Sequence, residues 1–94
     1  MHSLADMSFH AAPDVIATDL HREIILLDPR NGEMFALNAT GRCIWLSLPA
    51  RSLEQIGEVL ITRLGSSPTS AYADAEAFML ELTRHGLVID AIDD

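Results

Sequence analysis

The chain has 94 residues, 49% of them hydrophobic and 21% charged, enough for one modest core and too few for two. Its 14 acidic residues outweigh 6 basic ones, all arginines spread singly along the chain, and the formal charge of −8 argues against DNA or RNA as a partner. No apolar run nears the ~18 residues of a membrane span and the start shows no basic-then-apolar signal pattern, so a cytoplasmic location without a membrane partner is expected.

Residues 1–12 show no periodicity and are expected to form a flexible tail ahead of a domain over 13–90, with 91–94 as an acidic tail. Residues 15–20 alternate weakly. After the polar pair His21-Arg22, residues 23–28 carry Ile24-Ile25-Leu26-Leu27, apolar on both faces as a central strand would be. The two runs read as a hairpin. Pro29-Arg30-Asn31-Gly32 is a strong turn, because proline suits its second position and Asn-Gly supplies positive φ. Residues 33–37 then form a third strand, with Phe35 and Leu37 inward and Met34 and Ala36 outward.

Three strands have little core of their own, so three helices are expected to cover them. Asn38 is a suitable N-cap for the first, which runs to about residue 48, packs through Ile44 and Trp45 and is closed by Pro49. Ser52-Leu53-Glu54-Gln55 has the capping-box pattern. Leu53, Ile56, Leu60 and Leu64 supply an apolar stripe, and Gly65 ends the second helix. Ser67-Pro68 opens the third, over about 69–85, with Ala71, Ala75, Phe78, Met79 and Leu82 as its buried stripe. Gly86 ends it, and Leu87-Val88-Ile89 is expected to pack back on the core. Strands followed by helices make the class α+β, a three-stranded antiparallel sheet followed by three helices.

Little in the chain has the makings of catalysis. Cys43 is the lone cysteine, so an internal disulfide is impossible, and its helical surroundings are apolar with no histidine at a suggestive spacing. His2, His10, His21 and His85 are scattered and form no metal-ligand pair at helical spacing. His85 near a helix C-terminus complements the dipole. No cofactor, metal or catalytic residue is expected, and a non-catalytic binding module is favoured over a small hydrolase.

The residues Leu27-Asp28, then Gly32-Glu33-Met34-Phe35-Ala36-Leu37-Asn38-Ala39-Thr40-Gly41, then Ile44-Trp45, resemble the leader-peptide recognition domains of the PqqD-like family. Residues 74–78, Leu82 and Gly86-Leu87-Val88 resemble the family's closing helix and its terminal Gly-Leu-Val, so the likeness spans residues 14–89. Met34-Phe35 departs from the pair of aromatics that many relatives carry. The resemblance implies a winged-helix-like fold that binds the leader of a ribosomally synthesised, post-translationally modified peptide and delivers it to an enzyme. A free-standing chain of this size looks most like the leader-binding half of a split lasso-peptide B protein. That implies a transglutaminase-like cysteine protease as partner, with a cyclase as a further one. The alternatives are a quinone-cofactor-type peptide chaperone for a radical enzyme and a winged-helix DNA-binding regulator. The last is disfavoured because Asp74, Glu76 and Glu81 outnumber Arg84 on the third helix.

What the resemblance implies about the site is physically reasonable. Strand 33–37 would lie at the sheet edge, with no proline or lysine to guard it, so an extended peptide could add as a further strand. The expected peptide-binding residues are Glu33, Met34, Phe35, Ala36 and Leu37 on that strand, with Asp74, Ala77, Phe78, Glu81 and Leu82 on the third helix. Ala77 leaves room for a bulky leader side chain. Asp74 or Glu81 would meet a leader cation or a backbone N–H.

Overall fold

The computed structural model describes residues 8–48 and 52–90. The elements run β1 (Phe9–Ala11), β2 (Ile16–Asp19), β3 (Ile24–Asp28), β4 (Glu33–Leu37), α1 (Ala39–Ser47), α2 (Leu53–Leu64), α3 (Pro68–Arg84) and β5 (Val88–Asp90). The fold is α+β and winged-helix-like: a three-stranded antiparallel sheet in the order β2-β3-β4, followed by three helices.

Local chemistry sets these boundaries. In the β2–β3 hairpin, Asp19 accepts from the His21 N–H at 2.9 Å, and His21 takes a positive φ of 76°. Glycine normally supplies that conformation. Register pairs Ile24 with Leu37 and Asp28 with Glu33, so β3 is the central strand. Ile24, Leu26 and Asp28 are buried while Ile25 and Leu27 are half-buried. Between β3 and β4, Gly32 sits at φ 75° and donates its N–H to the Asp28 carbonyl at 2.8 Å.

Each helix opens on a side-chain cap. Asn38 accepts from Gly41 N–H, Ser52 from Gln55 N–H and Ser67 from Ser70 N–H. Gly65, left-handed at φ 67°, ends α2. At the end of α3, Gly86 donates to Thr83 and Leu87 to the Leu82 carbonyl, the paired bonds of a Schellman stop. Pro49, expected to close α1, lies outside the described residues.

The core joins sheet and helices through Ile24, Leu26, Leu37, Ile44, Ile56, Leu60, Met79 and Leu87, with Trp45 nearly buried beside them. Fully buried Ala71 and Ala75 keep the α3 surface low where α2 packs against it. Two expected core positions differ. Leu64 is 44% exposed, because it occupies the last residue of α2 and turns toward a surface cleft. Ile89 is 47% exposed, because alternation along β5 buries Val88 and turns its neighbour outward.

The tail expected over 1–12 is corrected within its second half. Phe9, Ala11 and their neighbours pair antiparallel with β5, Phe9 opposite Asp90 and Ala11 opposite Val88. Phe9 is fully buried in the core, and the Ala12 N–H donates to Leu87 at 2.9 Å. Three residues are too few to show periodicity, and their strand exists only because β5 lies beside them. Residues 1–7 and the expected acidic tail 91–94 lie outside the described residues.

Candidate functional site

The β4 strand is bonded to β3 on one side only, so its other edge has no strand partner among the described residues. That edge faces α3 across a groove of about 500 Å³. Met34, Phe35, Ala36 and Leu37 form one wall, Ala77, Phe78, Glu81, Leu82 and His85 the other, and Leu87 completes the lining. Spacings of three and four residues put the helical members on one face of α3. Apolar side chains dominate, with one carboxylate and one imidazole at the rim, a composition that suits a ligand-binding concavity.

Eight of the ten residues expected from the sequence therefore line one groove, namely Met34, Phe35, Ala36, Leu37, Ala77, Phe78, Glu81 and Leu82. Glu33 and Asp74 are exposed and stand outside the lining, Asp74 about one turn before Ala77 on the same helix. The sequence reading omitted His85 and Leu87. His85 lies four residues beyond Glu81, so extending the same helical face would have found it. Leu87 was placed in the core, which is also true, since it is fully buried.

The ends of the groove are held by specific contacts. At one end, α1 runs so close that a Cβ added to Gly41 would lie 2.7 Å from Phe78 Cε1 and 2.9 Å from Leu37 Cβ. Only glycine fits without displacement, which gives the Leu37-Asn38-Ala39-Thr40-Gly41 motif a steric reason. At the other end, the Phe35 and His85 rings meet with centroids 4.9 Å apart at 52°. Arg30 also spans from the β3–β4 turn, donating to both Asp28 carboxylate oxygens at 2.8 and 3.0 Å and to the Gly86 carbonyl at 2.8 Å.

Electrostatics qualify the expected roles. Asp28 is nearly buried, yet the Arg30 hydrogen bonds hold its carboxyl below the ordinary range against the opposing effect of burial. Glu81 bonds Arg84 and lies 3.4 Å from His85 Nε2, so a leader cation would have to compete for it. Cys43 is half-buried on α1 away from the groove lining, and burial pushes its thiol up, against the pull of Arg63 and Arg42. Among the described residues no group of three or more His, Cys, Asp or Glu could hold a metal ion. No helix there is long and apolar enough to cross a membrane.

The sequence profile of the family described as coenzyme PQQ synthesis protein D (PqqD) matches residues 23–88, from the start of β3 into β5, and so includes both walls of the groove. The chain belongs to the PqqD family. Two solved structures share this fold. One, described as TbiB1 in complex with the TbiA(beta) leader peptide, is 21% identical, with 84% of this chain and 93% of that one covered and a TM-score of 0.74. The other, described as a lasso peptide synthetase B1 complexed with the leader peptide, is 23% identical, with 87% and 98% covered and a TM-score of 0.71. No curated protein matches the chain.

Proposed function

We propose that this chain binds the leader segment of a ribosomally synthesised precursor peptide as an added strand on β4, beside α3, and delivers it to a partner enzyme without chemistry of its own. The observation that carries the reading is the coincidence of an unpaired strand edge with an apolar groove along that same edge. Alternate residues of β4 would bond the peptide backbone, giving affinity with little demand on sequence. Side-chain choice would come from the lining between Phe35, Ala77 and Phe78. Both structural relatives are held with leader peptides, which supports the assignment of the ligand and favours a lasso-peptide pathway. The processing partner would then be a transglutaminase-like cysteine protease, with a cyclase downstream. The family description favours a second reading, a peptide chaperone in quinone-cofactor synthesis, which would use the same groove with a different enzyme.

Two apolar anchors worth ~1.5–3 kcal/mol each and a few net hydrogen bonds of ~1 kcal/mol each give, after ordering costs, micromolar to sub-micromolar binding. The test is fluorescence anisotropy with a labelled synthetic leader. Ala77 is an exposed helical position, so Ala77→Trp should fold and fill the groove, weakening binding at least tenfold. Unchanged affinity in the folded variant would displace the site. Mass spectrometry of the leader incubated with the protein alone should show it intact, and any turnover would sink the reading.

A further inference from the structure

The face of α1 that turns away from the groove carries a second feature. A cleft of about 830 Å³ opens between the β2–β3 hairpin tip, α1 and the end of α2. Three of the chain's six arginines, Arg22, Arg42 and Arg63, line it, and among the described residues no carboxylate does. Asp19 holds Arg42 at 2.6 Å, while Arg22 and Arg63 have no ion-pair partner among the described residues. The same lining holds Leu46 and Leu64, 51% and 44% exposed. In a chain of charge −8, so local an excess of cations around half-exposed leucines is a departure from the rest of the surface.

We propose that this cleft is a second docking surface, taking an acidic patch with an apolar protrusion on the enzyme that receives the bound peptide. The identity of that enzyme rests on the function proposed above, whereas the surface and its charge requirement do not. Exposed apolar side chains beside charged ones suit a protein interface, and the unpaired arginines call for carboxylates opposite them. Nucleic acid fits worse, since phosphates would leave both leucines uncovered and would meet the chain's overall negative charge. Geometry also favours delivery. Gly41 presses α1 against Phe78 of the groove, while Arg42 and Leu46 lie toward the other side of the helix, so both sites can be filled at once.

The probe is the purified transglutaminase-like peptidase, titrated by calorimetry into the leader-loaded protein, with Arg63→Glu and Leu46→Glu as variants. The peptidase should bind the wild type, bind more weakly as salt rises, and bind each variant at least tenfold more weakly. Leader affinity by anisotropy and circular dichroism should match the wild type in both variants. Peptidase affinity unchanged in the variants, or absent in the wild type, overturns the proposal. So does sedimentation showing a wild-type dimer that Leu46→Glu dissolves, or duplex DNA binding that Arg63→Glu abolishes. A leader that fails to bind the wild type would remove the groove assignment and its support for the enzyme's identity, while the peptidase titration, repeated without leader, still tests the cleft.

Discussion

Replacing Gly41 by alanine should convert a steric contact into a loss of binding. The new Cβ would sit 2.7 Å from Phe78 Cε1 and 2.9 Å from Leu37 Cβ. Leu37 is buried and its Cβ is tied to the backbone of β4, so the half-buried Phe78 ring must give way. Overpacking of this kind costs about 1–3 kcal/mol, while alanine in a helix interior gains about 1 kcal/mol over glycine. Net destabilisation should thus be about 0–2 kcal/mol, small enough for the protein to stay folded. Binding should suffer more, because Phe78 lines the groove. Losing the fit of one apolar anchor forfeits about 1.5–3 kcal/mol, which is roughly ten- to a hundredfold in Kd. Urea unfolding gives the first quantity and leader anisotropy the second. Gly57→Ala is the control: its Cβ would fall 2.3 Å from Tyr72 Cδ1, a comparable clash, but Tyr72 stands outside the groove lining. Gly57→Ala should therefore lower stability and leave leader affinity as it was. Wild-type affinity in Gly41→Ala, or equal losses in the two variants, would refute the link between this junction and the site.

Two further outcomes follow from the scaffold. Phe9→Ala empties a fully buried position and should cost about 3–5 kcal/mol in urea unfolding; a cost below 1 kcal/mol would mean that β1 is dispensable. Bonds from Arg42 and from the His21 N–H lower the Asp19 carboxyl from 3.8 to about 2, so its contribution to stability is complete above pH 3.8 and is lost as pH falls toward 2. Thermal melts should accordingly show Asp19→Asn losing less stability than the wild type between pH 4 and 2, and parallel curves would contradict this.

Most of this arrangement is written locally in the chain. Asn38, Ser52 and Ser67 cap their helices, Gly32 and Gly65 take the left-handed backbone their turns need, and 33–37 is a strand. Each is decided within a few residues, so composition and spacing reveal it. The groove was legible because two short periodicities, one along β4 and one along α3, select the residues that face each other once the sheet order is known. What was not legible depends on distant partners. Phe9 becomes core only when residues 88–90 lie alongside, and nothing in Ser8-Phe9-His10 announces that. The bond from Arg30 to Gly86 joins positions 56 residues apart, and Arg30 looks like an ordinary turn residue in sequence. His85 reads as a helix-end charge until Phe35 is seen against its ring.

The long-range contact of Arg30 also explains how the groove keeps its width. Its two walls come from different elements, and a groove free to breathe would spend binding energy on closing. Near Leu37 the walls are set by Gly41, and near Phe35 by the Arg30 bridge from the β4 turn to the end of α3. Arg30→Ala removes the bridge and leaves the nearly buried Asp28 carboxylate without its cation. The melting temperature should fall, and leader binding should weaken as the wall loosens. The double variant Asp28→Asn/Arg30→Ala separates the two effects. If the unpaired carboxylate dominates stability, the double variant should melt above Arg30→Ala alone, while its leader affinity stays at the level of the single variant because the bridge to Gly86 is still missing. A double variant that recovers affinity together with stability would show that Arg30 serves Asp28 alone, and that the groove does not depend on the bridge.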